Sequence, residues 1–157
     1  MTDRSRDGYT LTRDVARVDM DRLFVWLSEE SYWAKGRDRD TIERSVAGSS
    51  PYSVFAADGT PVAFARVVSD GATFAWICDV YVDAGHRGRG LGTWVVDSIV
   101  ADLTEAGILR MLLATRDAQD VYRRSGFEAL EGPDRFMEID RRPTRNAILG
   151  REDPVSP

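Results

Sequence analysis

The stretch from Cys78 to Ile99, C-D-V-Y-V-D-A-G-H-R-G-R-G-L-G-T-W-V-V-D-S-I, constrains the fold more than any other. It starts as an apolar strand and breaks at Asp83-Ala84-Gly85. It then crosses a glycine-rich turn and continues as a helix with apolar periodicity. A strand, a tight turn and a helix N-terminus in succession make an anion site. The first-turn N–H groups have no partner inside the helix, and the helix dipole adds partial positive charge. Glycines permit positive φ and remove the Cβ atoms that would hold a phosphate away. Arg87 and Arg89 bring charge beside those amides. Two familiar phosphate loops do not fit. A nucleotide P-loop ends in Gly-Lys-Ser/Thr, whereas Gly92 is followed directly by Thr93. A dinucleotide fingerprint needs G-x-G-x-x-G, whereas the glycines stand at 88, 90 and 92.

At 157 residues, 43% hydrophobic and 30% charged, the chain is suited to one domain with a single core. The opening residues, M-T-D-R-S-R-D-G, lack the apolar segment of a signal peptide, and no apolar run reaches bilayer-spanning length. A cytoplasmic protein with no membrane partner is expected, and the single cysteine, Cys78, fits a reducing compartment. One histidine and one cysteine are too few for an ordinary zinc site, so no metal is expected. The net charge of −5 weighs against nucleic acid as a partner and leans toward a cationic acceptor such as an amine. A homodimer is compatible with the sequence.

In chain order, residues 9–13 alternate as a first strand, and Asp19 caps a helix ending near Glu30. Residues 31–40 form a loop. A short helix over 41–46 is capped by Asp40 or Thr41. Strands over 53–57, 61–68 and 73–82 are joined by tight turns at Asp58-Gly59 and Ser69-Asp70-Gly71, giving an antiparallel meander. The helix over 90–105 then crosses over to a buried strand at 111–114, which must lie parallel to 73–82. A helix over 118–124 and two short strands, 127–130 and 135–139, complete a domain over 1–140. Residues 141–157 read as a polar, loose tail. The fold class is α/β (α+β): a mixed sheet with an antiparallel N-terminal meander followed by a βαβ unit.

The order R-x-x-G-x-G, from Arg87 through Gly90 to Gly92, resembles the pyrophosphate loop of the GNAT superfamily of N-acetyltransferases. A second segment, A-Q-D-V-Y-R-R-S-G-F from Ala118 to Phe127, is similar to that family's A-x-x-x-Y-x-x-x-G-F. Together the two cover about residues 73–130. The resemblance implies acetyl-coenzyme A as co-substrate and a splayed pair of strands, 73–82 and 110–115, with the pantetheine arm between them. It implies a cofactor site of Val80, Tyr81, Val82, Arg87, Gly88, Arg89, Gly90, Leu91, Gly92 and Thr93. Thr115 stands where the family often has an asparagine facing that arm, so a side-chain contact there is a departure from the pattern. The resemblance gives Tyr122 the task of protonating the departing thiolate, which a phenol with pKa near ~10 can do at neutral pH.

Amine acetylation also needs a base. Many relatives place a glutamate at the position of Cys78, and the neighbouring Asp79 is the best acidic candidate here. A carboxylate in a largely apolar strand would have a raised pKa, which suits a base. Hydrogen bonding to backbone or an arginine is an equally good reading of Asp79. Cys78 reads as a small core residue and His86 as a neighbour of the phosphates. Tyr32, Trp33, Arg37 and Trp76 are candidates for the acceptor site, the aromatic faces suiting an alkylammonium. The expectation is an N-acetyltransferase acting on a primary amine by direct attack in a ternary complex. The alternative is a non-catalytic domain that binds acyl-coenzyme A as a sensor or interaction module.

Overall fold

Asp7 and Gly8 both take left-handed backbone angles, with φ of 51° and 80°. They close a tight hairpin between β1 (Arg4–Arg6) and β2 (Tyr9–Thr12). The computed structural model describes residues 3–143 and 145–151, and its six strands form one sheet in the order β1-β2-β3-β4-β5-β6. Strand β1 has no marker in the sequence, because Arg4-Ser5-Arg6 carries no apolar alternation. Next come β3 (Ser50–Phe55), β4 (Pro61–Ser69) and β5 (Ala75–Val82), each antiparallel to its predecessor. Between β4 and β5 the Asp70 carboxylate accepts from the Ala72 and Thr73 amides and the Thr73 hydroxyl. Those bonds hold Thr73 in the turn, so β5 starts at Ala75.

Helix α1 (Met20–Phe24) runs into a wider π turn, Val25–Glu30, and α2 covers Arg39–Ala47. Asp19 caps α1 as the sequence implied. The cap of α2 is Asp38, not Asp40 or Thr41. Its carboxylate reaches the Thr41 amide at 2.8 Å and takes the Thr41 hydroxyl as well. Helix α3 (Leu91–Glu105) crosses over to β6 (Met111–Leu112), which pairs parallel with β5. Two apolar layers sandwich the sheet. Leu91, Val95, Ile99 and Leu103 of α3 pack on one face against Val54, Ala65 and Ile77. Leu23, Trp26, Leu27, Ile42 and Val46 pack on the other against Phe64 and Tyr81.

The C-terminal part differs from expectation. After α4 (Gln119–Arg124), residues 127–130 and 135–139 are not strands, and Pro133–Arg135 forms a single 3-10 turn. Leu130, Phe136, Met137 and Ile139 are all exposed, with no core beneath them. β-forming residues without a long partner edge or a core face do not make a strand, and β6 is only two residues long. Where composition pointed to a loose tail, Arg145–Leu149 forms a short helix, α5.

Candidate active site

The β5–β6 ladder consists of Ala75 opposite Met111 and Trp76 opposite Leu112. β5 then runs on to Val82 with no strand along that edge among the described residues. Its other edge carries a bulge. Arg66 faces Cys78 and Phe64 faces Tyr81, so Ala65 alone opposes both Asp79 and Val80. Asp79 absorbs the extra residue with φ of 51°. That left-handed conformation costs a non-glycine residue on the order of 1–3 kcal/mol. Three hydrogen bonds offset it. Trp33 Nε1 donates to Oδ1 at 3.0 Å, while Arg37 Nη1 and Arg66 Nε donate to Oδ2 at 2.9 and 2.6 Å. Asp79 is 6% exposed, but its surroundings are cationic and not the apolar strand anticipated from the sequence.

At the far end of β5 the glycine turn leads into α3. Gly88 and Gly90 have φ of 75° and 73°, and Gly90 is the N-cap with no side-chain capping bond. The first helical amide to find a partner is that of Trp94, bonded to the Gly90 carbonyl at 3.0 Å. The Leu91, Gly92 and Thr93 amides at the mouth of the turn are therefore outside the helical ladder. Arg87 is tied back to the Val82 carbonyl and the Tyr81 hydroxyl, and Arg89 donates to the Tyr9 hydroxyl at 3.1 Å. Arg6, unnoticed in the sequence, reaches across from β1 to the Gly90 carbonyl at 3.5 Å. His86 Nδ1 meets the Tyr9 hydroxyl at 3.1 Å, so it supports the turn from behind. The Tyr81 side chain points to the opposite face, stacked on Trp26 and bonded to Glu30, which leaves only its main chain for a ligand along the edge. Val80 and Val82 are half-buried on the α3 side.

A cavity of about 520 Å³ opens at the other end of the exposed β5 edge. It gathers Tyr32, Trp33, Arg37, Trp76, Asp79, Val80, Thr115 and Tyr122, which the sequence had nominated from four separate segments. It adds Arg66 and, from beyond residue 137, Glu138, Arg142 and Leu149. Arg66 left one sequence signal, a charge inside the apolar run V-A-F-A-R-V-V. Several side chains are already engaged. The Arg116 guanidinium lies 3.8 Å from the Tyr32 ring centre, and the Tyr32 hydroxyl accepts from the Arg116 amide. That face of Tyr32 is therefore taken by a cation of the protein itself. The Thr115 hydroxyl accepts from the Ala118 amide at 3.1 Å and so closes the turn into α4. A second cavity of about 580 Å³, beside Arg13, Tyr52 and Asp102, touches none of the nominated residues.

Burial pushes the Tyr122 phenol up to about 12, with smaller contributions from Tyr32 and Asp117, so it stays a proton donor across the neutral range. Tyr81 is also pushed up to about 12, first by burial and then by Glu30. Burial raises Tyr52 as well. Burial likewise raises the Cys78 thiol, which makes it a poor nucleophile. The three phenols have a consequence for stability. The folded state keeps protons that an unfolded chain releases near the ordinary value of 10. Stability from this source is whole below pH ~10 and is lost as the pH rises toward ~12 and beyond. Urea midpoints should therefore fall between pH 9 and pH 11, and equal midpoints would contradict the burial of these groups.

Residues 19–127 match the model of the acetyltransferase (GNAT) family. A crystal structure of a putative GNAT acetyltransferase from Xanthomonas campestris pv. campestris is 35% identical and superposes with a TM-score of 0.81. It covers 87% of this chain and 95% of its own. The chain belongs to the GNAT acetyltransferase family. Among curated relatives, serotonin N-acetyltransferase 2, chloroplastic, of Oryza sativa subsp. japonica is 37% identical over 123 residues. That match covers 76% of this chain and 62% of the relative, so the chain spans less than two thirds of that protein's length. The family uses acetyl-coenzyme A. A GNAT acetyltransferase from Elizabethkingia anophelis, solved with acetyl-coenzyme A bound, shares the fold at a TM-score of 0.63 and 12% identity. It covers 80% of each chain. No helix among the described residues is long and apolar enough to cross a membrane.

Proposed function

We propose that this chain transfers an acetyl group from acetyl-coenzyme A to a primary amine by direct attack in a ternary complex. The observation that carries the reading is the open edge of β5, running from the acceptor cavity at Trp76 to the glycine turn beyond Val82. The Leu91, Gly92 and Thr93 amides, with Arg6, Arg87 and Arg89 around them, form the anion site for the diphosphate. The edge of β5 that faces away from β4 over Val80, Tyr81 and Val82, where Arg87 already takes the Val82 carbonyl, is suited to hydrogen-bond the amides of the pantetheine arm. Tyr122 donates its hydroxyl hydrogen toward the sulfur. The ammonium first gives one proton to solvent, and the amine nitrogen bonds to the acetyl carbon. The carbon–sulfur bond breaks as Tyr122 gives its proton to the thiolate, and the second nitrogen proton passes by way of water back to the Tyr122 oxygen.

In this reading Asp79 is a positioning residue. Its oxygens already accept three N–H groups, and taking up a proton would remove the charge that holds two guanidinium groups. Water then takes the ammonium proton. The rate should rise with pH as the amine, with pKa of roughly 10, loses its proton. Asp79→Asn should lower activity through the displaced arginines yet keep that rising limb. A flat profile in Asp79→Asn would return the role of base to Asp79.

Thiol release from acetyl-coenzyme A tests the whole reading: it should require a primary amine and yield the N-acetyl product. A chain that is stabilised by acetyl-coenzyme A but releases no thiol with any amine would instead be an acyl-coenzyme A-binding module. Cytoplasmic placement rests on the single cysteine, Cys78, which fits a reducing compartment. The rice relative is named chloroplastic.

A further inference from the structure

The acceptor cavity holds two guanidinium groups that share one carboxylate. Arg37 and Arg66 both line it, with side chains 20% and 12% exposed, and both donate to the same oxygen of Asp79. Each guanidinium carries five N–H donors. Asp79 accepts one from each, and no other guanidinium N–H of Arg37 or Arg66 has a partner among the described residues. The remaining charges of the cavity are matched. Arg142 is clasped by Asp140, Arg116 faces Asp117 at 3.4 Å, and Glu138 lies 3.7 Å from Arg145. The surplus is thus one positive charge, located where α1's loop and β4 meet the bulge of β5. Arginine's planar fork is the group that grips carboxylate and phosphate oxygens in pairs.

From this geometry we infer that the acceptor carries an oxyanion as well as its amine, and that the anion docks on Arg37 and Arg66. The inference rests on the reading of this cavity as the acceptor site of an N-acetyltransferase. The acceptor class is then a small amino acid or an amino phosphate. The anion completes the coordination that Asp79 begins, and the amine is left to face Tyr122 across the same cavity. The net charge of the chain does not oppose this. A charge of −5 is an average over the whole surface, whereas a small ligand meets the local field inside the cavity.

The test is a matched panel in the thiol-release assay with acetyl-coenzyme A. Each ω-amino acid of two to six carbons is compared with the alkylamine of the same length, and 2-aminoethyl phosphate with ethanolamine. At least one acid-bearing member should exceed its uncharged partner by about tenfold or more in kcat/KM, the scale of hydrogen bonds to a charged group. The carboxylate and phosphate arms tell which oxyanion fits. In Arg37→Gln that ratio should fall toward one, through KM. Equal rates within every pair, or a ratio unchanged in Arg37→Gln, would overturn the inference and leave amine acetylation standing. If no amine is turned over, the acetyltransferase reading fails, and melting temperature decides the anion site on its own. Inorganic phosphate and the acid-bearing amines should raise Tm, and more so in Asp79→Asn, where both guanidinium groups have lost their carboxylate. The absence of any such rise in either protein would overturn the anion site independently of catalysis.

Discussion

Tyr122→Phe lowers the turnover number by on the order of a hundredfold or more and leaves the binding constant for acetyl-coenzyme A nearly unchanged. Tyr122 lines the cavity, and burial pushes its phenol up to about 12. A donor held that firmly is a weak acid by itself, but the same desolvated site also raises the departing thiolate, which brings the two closer together. The interaction strengthens only as the carbon–sulfur bond breaks, so its loss appears in kcat and not in ground-state binding. A hundredfold loss corresponds to about 3 kcal/mol at the barrier. The phenylalanine keeps the ring and its edge-on contact with Phe127, so α4 should survive. Steady-state and single-turnover rates check this together with a melting curve. Unchanged single-turnover chemistry would make Tyr122 a packing residue.

Gly90→Ala removes half or more of the stabilisation that acetyl-coenzyme A gives, whereas Gly107→Ala does not. Both glycines have left-handed backbones, with φ of 73° and 78°, at opposite ends of α3. An alanine at either costs about 1–2 kcal/mol for that conformation. The surroundings differ. A Cβ at Gly107 meets nothing within 4 Å, while one at Gly90 comes 3.1 Å from Arg6 Nη2, at the mouth of the proposed diphosphate site. At a hundredfold excess over its dissociation constant, a native-state ligand contributes about 2.7 kcal/mol. If Gly90→Ala weakens binding tenfold or more, that contribution falls to about 1.4 kcal/mol or less. Thermal melts of the two variants with and without acetyl-coenzyme A separate strain from site loss. Equal ligand shifts in both would move the diphosphate off the turn.

The strand, glycine turn and helix over residues 75–105 were legible because every determinant is local. Apolar periodicity marks α3, and glycines mark the positions that need positive φ. The order β3-β4-β5-β6 followed, since two tight turns and one crossover leave little choice of topology there. The environment of Asp79 was not legible. Its partners stand 42, 46 and 13 residues away, and the bulge that turns it toward them has no single-residue marker. The same distance hid the cation on the Tyr32 face, which displaces the expected alkylammonium there. Residues 127–139 misled for the opposite reason. Their β propensity is real, but propensity yields no strand without an edge and a core to receive it.

Direct transfer is tested most simply by mass. The protein is mixed with acetyl-coenzyme A and an active amine, the reaction is stopped at a series of times, and intact protein, free thiol and amine are each measured. One acetylated amine is expected for each thiol released, with no acetyl group on the protein at any time. An acetylated protein that forms and decays as fast as turnover, or thiol release without acetylated amine, would contradict direct transfer.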